Sequence, residues 1–142
     1  SRIKEPESLI RKMELKDKTP EEVTDIVGIR IICNFIEDVY DIVNELKQYL
    51  KIVKEKDYFK HPKSSGYRSY HIVAEINGTA VEIQLRTLAV DFWATLEHRM
   101  RYKKNIVNTE VIEGKLKDVA EEVAALDNYM QCLYDAIVFI DE

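Results

Sequence analysis

The stretch SYHIVAEINGTAVEIQLR, from Ser69 to Arg86, decides how this chain is to be read. At its centre, Asn77-Gly78 is the strongest short hairpin signal a sequence offers, because both residue types tolerate the positive φ that a type I′ turn demands. Ser69–Ile76 and Thr79–Leu85 flank the turn as antiparallel strands. Along the second strand side chains alternate, so Val81, Ile83 and Leu85 share one face and Glu82, Gln84 and Arg86 the other. Along the first, Arg68, Tyr70, Ile72 and Ala74 take one parity, and Ser69, His71 and Val73 the other. A register that joins His71 to Glu82 and Gln84 makes a polar floor. Otherwise these groups form an ordinary solvated stripe, and the sequence leaves the choice open.

Outward from the hairpin, the pattern reads as alternating helices and strands. Pro6 to Lys16 is expected to be a short helix with Leu9, Ile10 and Met13 on one side. Thr19-Pro20-Glu21-Glu22 is a capped helical turn, with Thr19 as N-cap and Glu22 placed for a capping box. Ile26–Cys33 is a β-branched run suited to a buried strand. Glu37–Leu50 is amphipathic, with Val39, Ile42, Val43, Leu46 and Leu50 on one face. A strand near Ile52–Tyr58 and the polar loop His61–Gly66 lead into the hairpin. Leu88–Lys103 follows as a helix, with Phe92, Leu96 and Met100 expected inward and basic residues at its C-terminal end. In the last helix Ile112, Leu116, Val119, Val123, Leu126, Met130, Leu133, Ile137 and Ile140 alternate steps of four and three. That seam of about 3.5 residues per turn buries itself either on the chain's own sheet or on another helix in an oligomer.

The 142 residues suit one domain with a core of its own. No apolar run is long enough to span a membrane and no signal peptide opens the chain, so no membrane partner and a cytoplasmic location are expected. Cys33 and Cys132 lie far apart in apolar segments and form no CxxC pair, which points to two buried free thiols and away from zinc or redox chemistry. The net charge of −5 argues against a dedicated nucleic-acid binder. The charge is uneven, however: residues 109–142 hold nine acidic residues against two lysines. Lys51, Lys54, Lys56, Lys60, Lys63 and Arg68 are opposed only by Glu55 and Asp57, and they interleave with Tyr58, Phe59, Tyr67 and Tyr70. Cations beside aromatic faces suit a ligand that carries both phosphates and a base. The run Arg99, Arg101, Lys103 and Lys104 reads equally well as a solvated face.

Several residues in these segments have chemistry to offer. Asp25 stands at the entrance of a strand and Glu82 on a second one, a pairing that can hold Mg²⁺, which takes one or two carboxylates and leaves other positions to water and substrate phosphates. For Asp25 alone, a turn or capping role is as good a reading. Gly66 frees the loop backbone for φ > 0 or close approach, beside Lys63, Tyr67 and Arg68. Tyr67 could stack on a purine, worth roughly 1–3 kcal/mol, or cap the core. Ser8 and Lys12 share a helix face, with Arg2 and Lys4 just ahead of the helix start; a triphosphate or plain solvent would suit them.

Taken in order, DIVGIR (Asp25–Arg30), HPKSSGYRSYH (His61–His71), EIQLRT (Glu82–Thr87), and Phe92-Trp93-Ala94 with Glu97-His98 closely resemble the synthetase domain of RelA/SpoT-type alarmone synthetases, in particular the small single-domain enzymes. The resemblance runs from Arg2 to about Lys104. It implies an α+β, nucleotidyltransferase-like fold, with a central mixed sheet of about four to five strands flanked by helices and a long C-terminal helix. It further implies that residues 1–107 are the catalytic domain and that 108–142 form a helix of the same domain, used for packing or oligomerisation. The activity implied is transfer of pyrophosphate from ATP to the 3′-hydroxyl of GDP or GTP, giving ppGpp or pppGpp and AMP. A catalytically idle nucleotide- or RNA-binding regulator, or a different acceptor such as an adenosine nucleotide or RNA, are the alternatives.

Carried over position by position, the resemblance makes Arg2, Lys4, Ser8 and Lys12 the ATP-phosphate segment and Arg30 the arginine stacked on adenine. Asp25 and Glu82 become the Mg²⁺ ligands, with Glu82 also taking the proton from the acceptor's 3′-hydroxyl. Tyr67 stacks on guanine, Lys63 and His71 face the acceptor's 5′-phosphates, and Gln84 joins them from the same strand face. Leu15 departs from the pattern, standing where many small synthetases have a further arginine; Lys16 and Arg11 are the nearby cations. Members of the family usually carry helices upstream of the ATP segment, so a truncated chain is among the readings open here. The metal-dependent hydrolase motif is absent, so alarmone breakdown is not expected.

Overall fold

A computed structural model describes residues 27–101 and 109–141. The expected Pro6–Lys16 helix and Thr19–Glu22 turn lie outside the described residues. Four strands are described: β1 (Val27–Cys33), β2 (Lys51–Asp57), β3 (Tyr70–Ile76) and β4 (Thr79–Thr87). With them are three helices: α1 (Ile36–Tyr49), α2 (Leu88–Arg101) and the long α3 (Thr109–Asp141). The sheet order is β1-β4-β3-β2. The expected hairpin is β3–β4, antiparallel, with positive φ at both Asn77 and Gly78 as a type I′ turn requires. β1 adds to β4 in parallel. The mixed sheet arises because α1 carries the chain from one edge strand to the other.

Strand alternation settles where the core lies. Tyr70, Ile72 and Ala74 of β3, Val81, Ile83 and Leu85 of β4, and Val39, Val43 and Leu46 of α1 pack into one buried cluster. Ile72, Ile83 and Leu85 are fully enclosed, each contributing about 1.5–3 kcal/mol by leaving water. The opposite face of the sheet carries Arg30, His71, Glu82, Gln84 and Arg86. A smaller cluster joins α2 to α3 through Trp93, Ala94 and Ala120, with Tyr67, Leu116 and Val123 packed against it. β2, the other edge of the sheet, is mostly exposed and lysine-rich, which discourages pairing with foreign strands.

Three expectations need correction or refinement. Phe92, Leu96 and Met100 face outward, at 63%, 38% and 42% exposure. The buried side of α2 is instead Val90, Trp93 and Ala94. The indole is the larger apolar group, and its N–H donates to the Leu116 carbonyl at 2.8 Å, so the helix turns to bury Trp93. Cys132, expected to be a buried thiol, is exposed; it sits one position past Gln131, whose side of α3 is the one that packs. Cys33 is buried as expected, and desolvation, with Asp38 nearby, pushes its thiol up to about 12. The seam of α3 divides. Leu116 and Val123 reach the domain, whereas Leu126, Met130, Leu133, Ile137 and Ile140 are exposed.

Polar contacts fix α3 where its seam does not. Thr87 ends β4 and caps α2: its hydroxyl accepts from the Val90 N–H at 3.1 Å and donates to Asp127 at 2.6 Å. Four residues further along α3, Gln131 accepts from the Glu37 N–H at 3.0 Å, satisfying an unpaired donor in the first turn of α1. No helix among the described residues is long and apolar enough to cross a membrane.

Candidate active site

The register resolves what the sequence left open. Antiparallel pairing sets His71 opposite Gln84 and Val73 opposite Glu82. Parallel pairing sets Gly28 opposite Glu82 and Arg30 opposite Gln84, and Lys56 of β2 lies opposite His71. A row Arg30–Gln84–His71–Lys56 therefore crosses all four strands on the face away from the core, with steps of about 4.8 Å. The strand that follows Asp25 in sequence is thus the direct neighbour of the one carrying Glu82.

Above this row the loop between β2 and β3 folds down. Its Lys63–Gly66 turn closes through the Gly66 N–H to the Lys63 carbonyl at 2.8 Å. Gly66 has φ +98, and a Cβ there would lie 2.7 Å from that of Ala120. Arg68 donates to the Gly66 and Ala120 carbonyls at 3.0 and 3.2 Å, holding the loop to α3. The loop consequently presents Tyr67 in a fixed place. The Tyr67 hydroxyl lies 2.8 Å from His71 Nε2 and accepts from Arg86 Nη2 at 3.0 Å. Tyr58 meets Tyr67 and His71 edge-on, with ring centroids 6.0 and 5.1 Å away. The Lys63 ammonium lies 5.0 Å from the Tyr58 ring centre and 5.1 Å from that of Tyr67.

The electrostatics follow from this packing. Burial, aided by Lys63 and Arg86, holds the His71 pKa below its ordinary 6.5, against the pull of Glu82. With an arginine N–H already on the Tyr67 oxygen, the Tyr67 hydroxyl can donate to Nε2 of a neutral imidazole protonated at Nδ1. Its Nδ1–H is then turned toward Glu82, whose carboxylate is 4.0 Å away. Glu82 keeps about a third of its side-chain surface open (36%) and has no closer ion pair among the described residues.

Of the expected site residues, Arg30, Lys63, Tyr67, His71, Glu82 and Gln84 meet on this one face. Arg2, Lys4, Ser8, Lys12 and Asp25 lie outside the described residues. Sequence reading missed Arg86 and Asp91 as members of the constellation. Arg86 is only 7% exposed; it donates to Asp91 at 2.9 Å and to the Gln84 carbonyl oxygen at 3.3 Å. The same Asp91 oxygen lies 3.5 Å from Arg30. The parity that marked Glu82 and Gln84 also marks Arg86, whereas Asp91 becomes visible only once the strand-to-helix turn is known. Among the described residues no group of three or more His, Cys, Asp or Glu side chains gathers around a metal position.

Comparison with known proteins gives a family match and several similar chains. A family model described as a region found in RelA / SpoT proteins matches residues 1–107. The chain is 42% identical to the GTP pyrophosphokinase YwaC of Bacillus subtilis, over 92% of its own length and 70% of that protein's. It is 36% identical to the GTP pyrophosphokinase YjbM of the same organism, covering 91% and 67%. Among solved structures, small alarmone synthetase 2 from Bacillus subtilis superposes with a TM-score of 0.72 at 40% identity, covering 95% of this chain and 78% of that one. Small alarmone synthetase 1 from Bacillus subtilis, bound to its product pppGpp, gives 0.68 at 34%, covering 96% and 76%.

Proposed function

The chain belongs to the RelA/SpoT family, and we propose that it transfers pyrophosphate from ATP to the ribose 3′-hydroxyl of GDP or GTP, yielding AMP and the alarmone ppGpp or pppGpp. The observation that carries this reading is the single sheet face on which Glu82, His71, Gln84 and Arg30 stand in register beneath Tyr67 and Lys63. Residues 1–107 then act as the catalytic unit and 108–142 as a helical element of the same domain. The reaction needs no covalent enzyme intermediate; it needs alignment, charge neutralisation and removal of one proton.

Each side chain takes a role that its setting supports. Glu82 accepts the proton of the 3′-hydroxyl, its carboxylate free of any close cation among the described residues. Tyr67, held by its hydroxyl, offers its ring to guanine. Stacking of about 1–3 kcal/mol exceeds the roughly 0.5–1 kcal/mol of an exposed cation–π contact. A base arriving at the face that Lys63 covers therefore displaces the ammonium, which is then free for the acceptor's 5′-phosphates beside His71. Gln84 contributes its amide from the next strand. Arg30, about half exposed, can lie flat on adenine, while Arg2, Lys4, Ser8 and Lys12 grip the ATP phosphates.

The donor set also fits Mg²⁺. One available carboxylate at Glu82 and a second at Asp25 match the magnesium preference for few protein ligands with water and phosphate oxygens completing the shell. When bound there, the ion would neutralise phosphate charge and lower the pKa of the attacking hydroxyl. The outward half of the α3 seam supports a homo-oligomer joined through that helix. A reducing cytoplasm suits the unpaired Cys33 and Cys132.

Incubation with ATP, Mg²⁺ and GDP or GTP, followed by ion-exchange separation of nucleotides, tests the reading. AMP should appear with a tetra- or pentaphosphate in equal amount. Glu82→Gln is expected to lower turnover by at least about 10²-fold while calorimetry shows nucleotide binding kept. A folded parent chain that forms neither product overturns the proposal.

A further inference from the structure

Arg86 is a poor stabiliser in its present surroundings. Its guanidinium is almost wholly withdrawn from water, and Nε is buried with no hydrogen-bond partner. Its two terminal nitrogens meet one carboxylate, one hydroxyl and one amide. A buried ion pair replaced whole by apolar side chains often loses no stability, whereas removing one partner alone strands the other charge. What an apolar side chain cannot do is impose direction. Because arginine only donates, Tyr67 keeps its own proton available for His71, and Gln84 turns its carbonyl oxygen toward Arg86 and its NH₂ away. Arg86 therefore sets the hydrogen-bonding sense of two acceptor-side groups at once.

Asp91 extends that order to the donor side. It stands in the first turn of α2, and one of its oxygens receives Arg86 at 2.9 Å and faces Arg30 at 3.5 Å. We infer that the Asp91–Arg86 pair is a positioning bridge that ties Arg30 to Tyr67 and Gln84, and so sets the separation of the two nucleotides in the ternary complex. This rests on the reading above that Arg30 and Tyr67 receive the two bases. The bridge touches neither reacting atom. Its effect is on alignment, where displacements near 1 Å cost about 10²-fold in rate.

Asp91→Asn, Arg86→Lys and Arg86→Met separate alignment from support. Asp91→Asn and Arg86→Lys should unfold within a few degrees of the parent, and Arg86→Met, which leaves Asp91 without its closest cation, should be the most disturbed of the three. Affinities for GDP alone and for a non-hydrolysable ATP analogue alone should change less than about threefold. By contrast kcat should fall about 10- to 100-fold, and the tightening of GDP binding by the ATP analogue that the bridge predicts for the parent should vanish. Arg86→Lys should not rescue kcat, since one ammonium cannot hold both Asp91 and Tyr67 in a fork. An active parent whose folded variants keep both kcat and nucleotide coupling overturns the bridge and leaves the functional reading intact. So does a loss of kcat that tracks lost stability and is restored by Arg86→Lys. A folded parent that makes no alarmone overturns the functional reading itself, and the bridge falls with it.

Discussion

Gly66 shows how far a single position can govern this site. Its φ of +98 is one that residues with a Cβ rarely adopt, and the atom an alanine would add meets Ala120 at 2.7 Å. Gly66→Ala thus combines backbone strain with overpacking and should destabilise the protein by about 1–3 kcal/mol, read as a lowered urea midpoint. Because the loop that ends at Tyr67 is held to α3 at this contact, GDP affinity should weaken as well. An alanine variant with parental stability and affinity would show that the close approach is dispensable. Half of the polar face is legible from residue order: strand alternation alone puts Glu82 and Gln84 together, whereas His71 joins them only through the register that pairs it with Gln84. Arg86 and Asp91 are less legible. Their meaning depends on a strand running into a helix at a particular angle, and no period in the sequence records that angle.

Among the elements, α2 explains why an amphipathic pattern can point the wrong way. It carries two apolar stripes, Leu88-Phe92-Leu96-Met100 and Val90-Trp93-Ala94. Helical periodicity describes both and chooses neither; the indole N–H and the shape of α3 make the choice. The start of the same helix is tied down by Thr87. Thr87→Ala removes the N-cap and the donor to Asp127 together, and should cost roughly 1–3 kcal/mol in chemical denaturation. Asp127 is the more instructive partner. Its pKa is raised, chiefly by burial, with the Thr87 hydrogen bond pulling the other way. A raised acid favours folding fully below its ordinary 3.8 and loses that contribution as pH rises through the folded-state value, so at neutral pH the ionised carboxylate is a net burden. Asp127→Asn keeps an acceptor for Thr87 without the charge. Its urea midpoint should equal or exceed the parent's at pH 7, and the advantage should shrink as pH falls toward 4. A clear loss at pH 7 would mean that the charged hydrogen bond outweighs the burial.

Seen whole, the molecule keeps its core on one side of a four-stranded sheet, its chemistry on the other, and much of its apolar surface along the far half of α3. Leu133, Ile137 and Ile140 are 43%, 58% and 79% exposed along one side of the helix, an apolar strip of the kind that marks an interaction surface. Leu126 and Leu133 belong to the same outward side, so Leu126→Glu combined with Leu133→Glu should leave the fold intact by circular dichroism. Light scattering should then report a smaller particle than the parent's. A folded variant of unchanged mass would remove this seam from any assembly. The seam itself is legible in the sequence, but its division into an inner and an outer half is not, since the same four-and-three spacing serves both. Asp127 and Gln131 break that ambiguity. A ladder of similar apolar rungs fits nearly as well after slipping by one repeat, whereas the starts of α1 and α2 each donate a hydrogen bond to α3 in one alignment only. Oil supplies the adhesion of this helix, and two polar side chains supply its address.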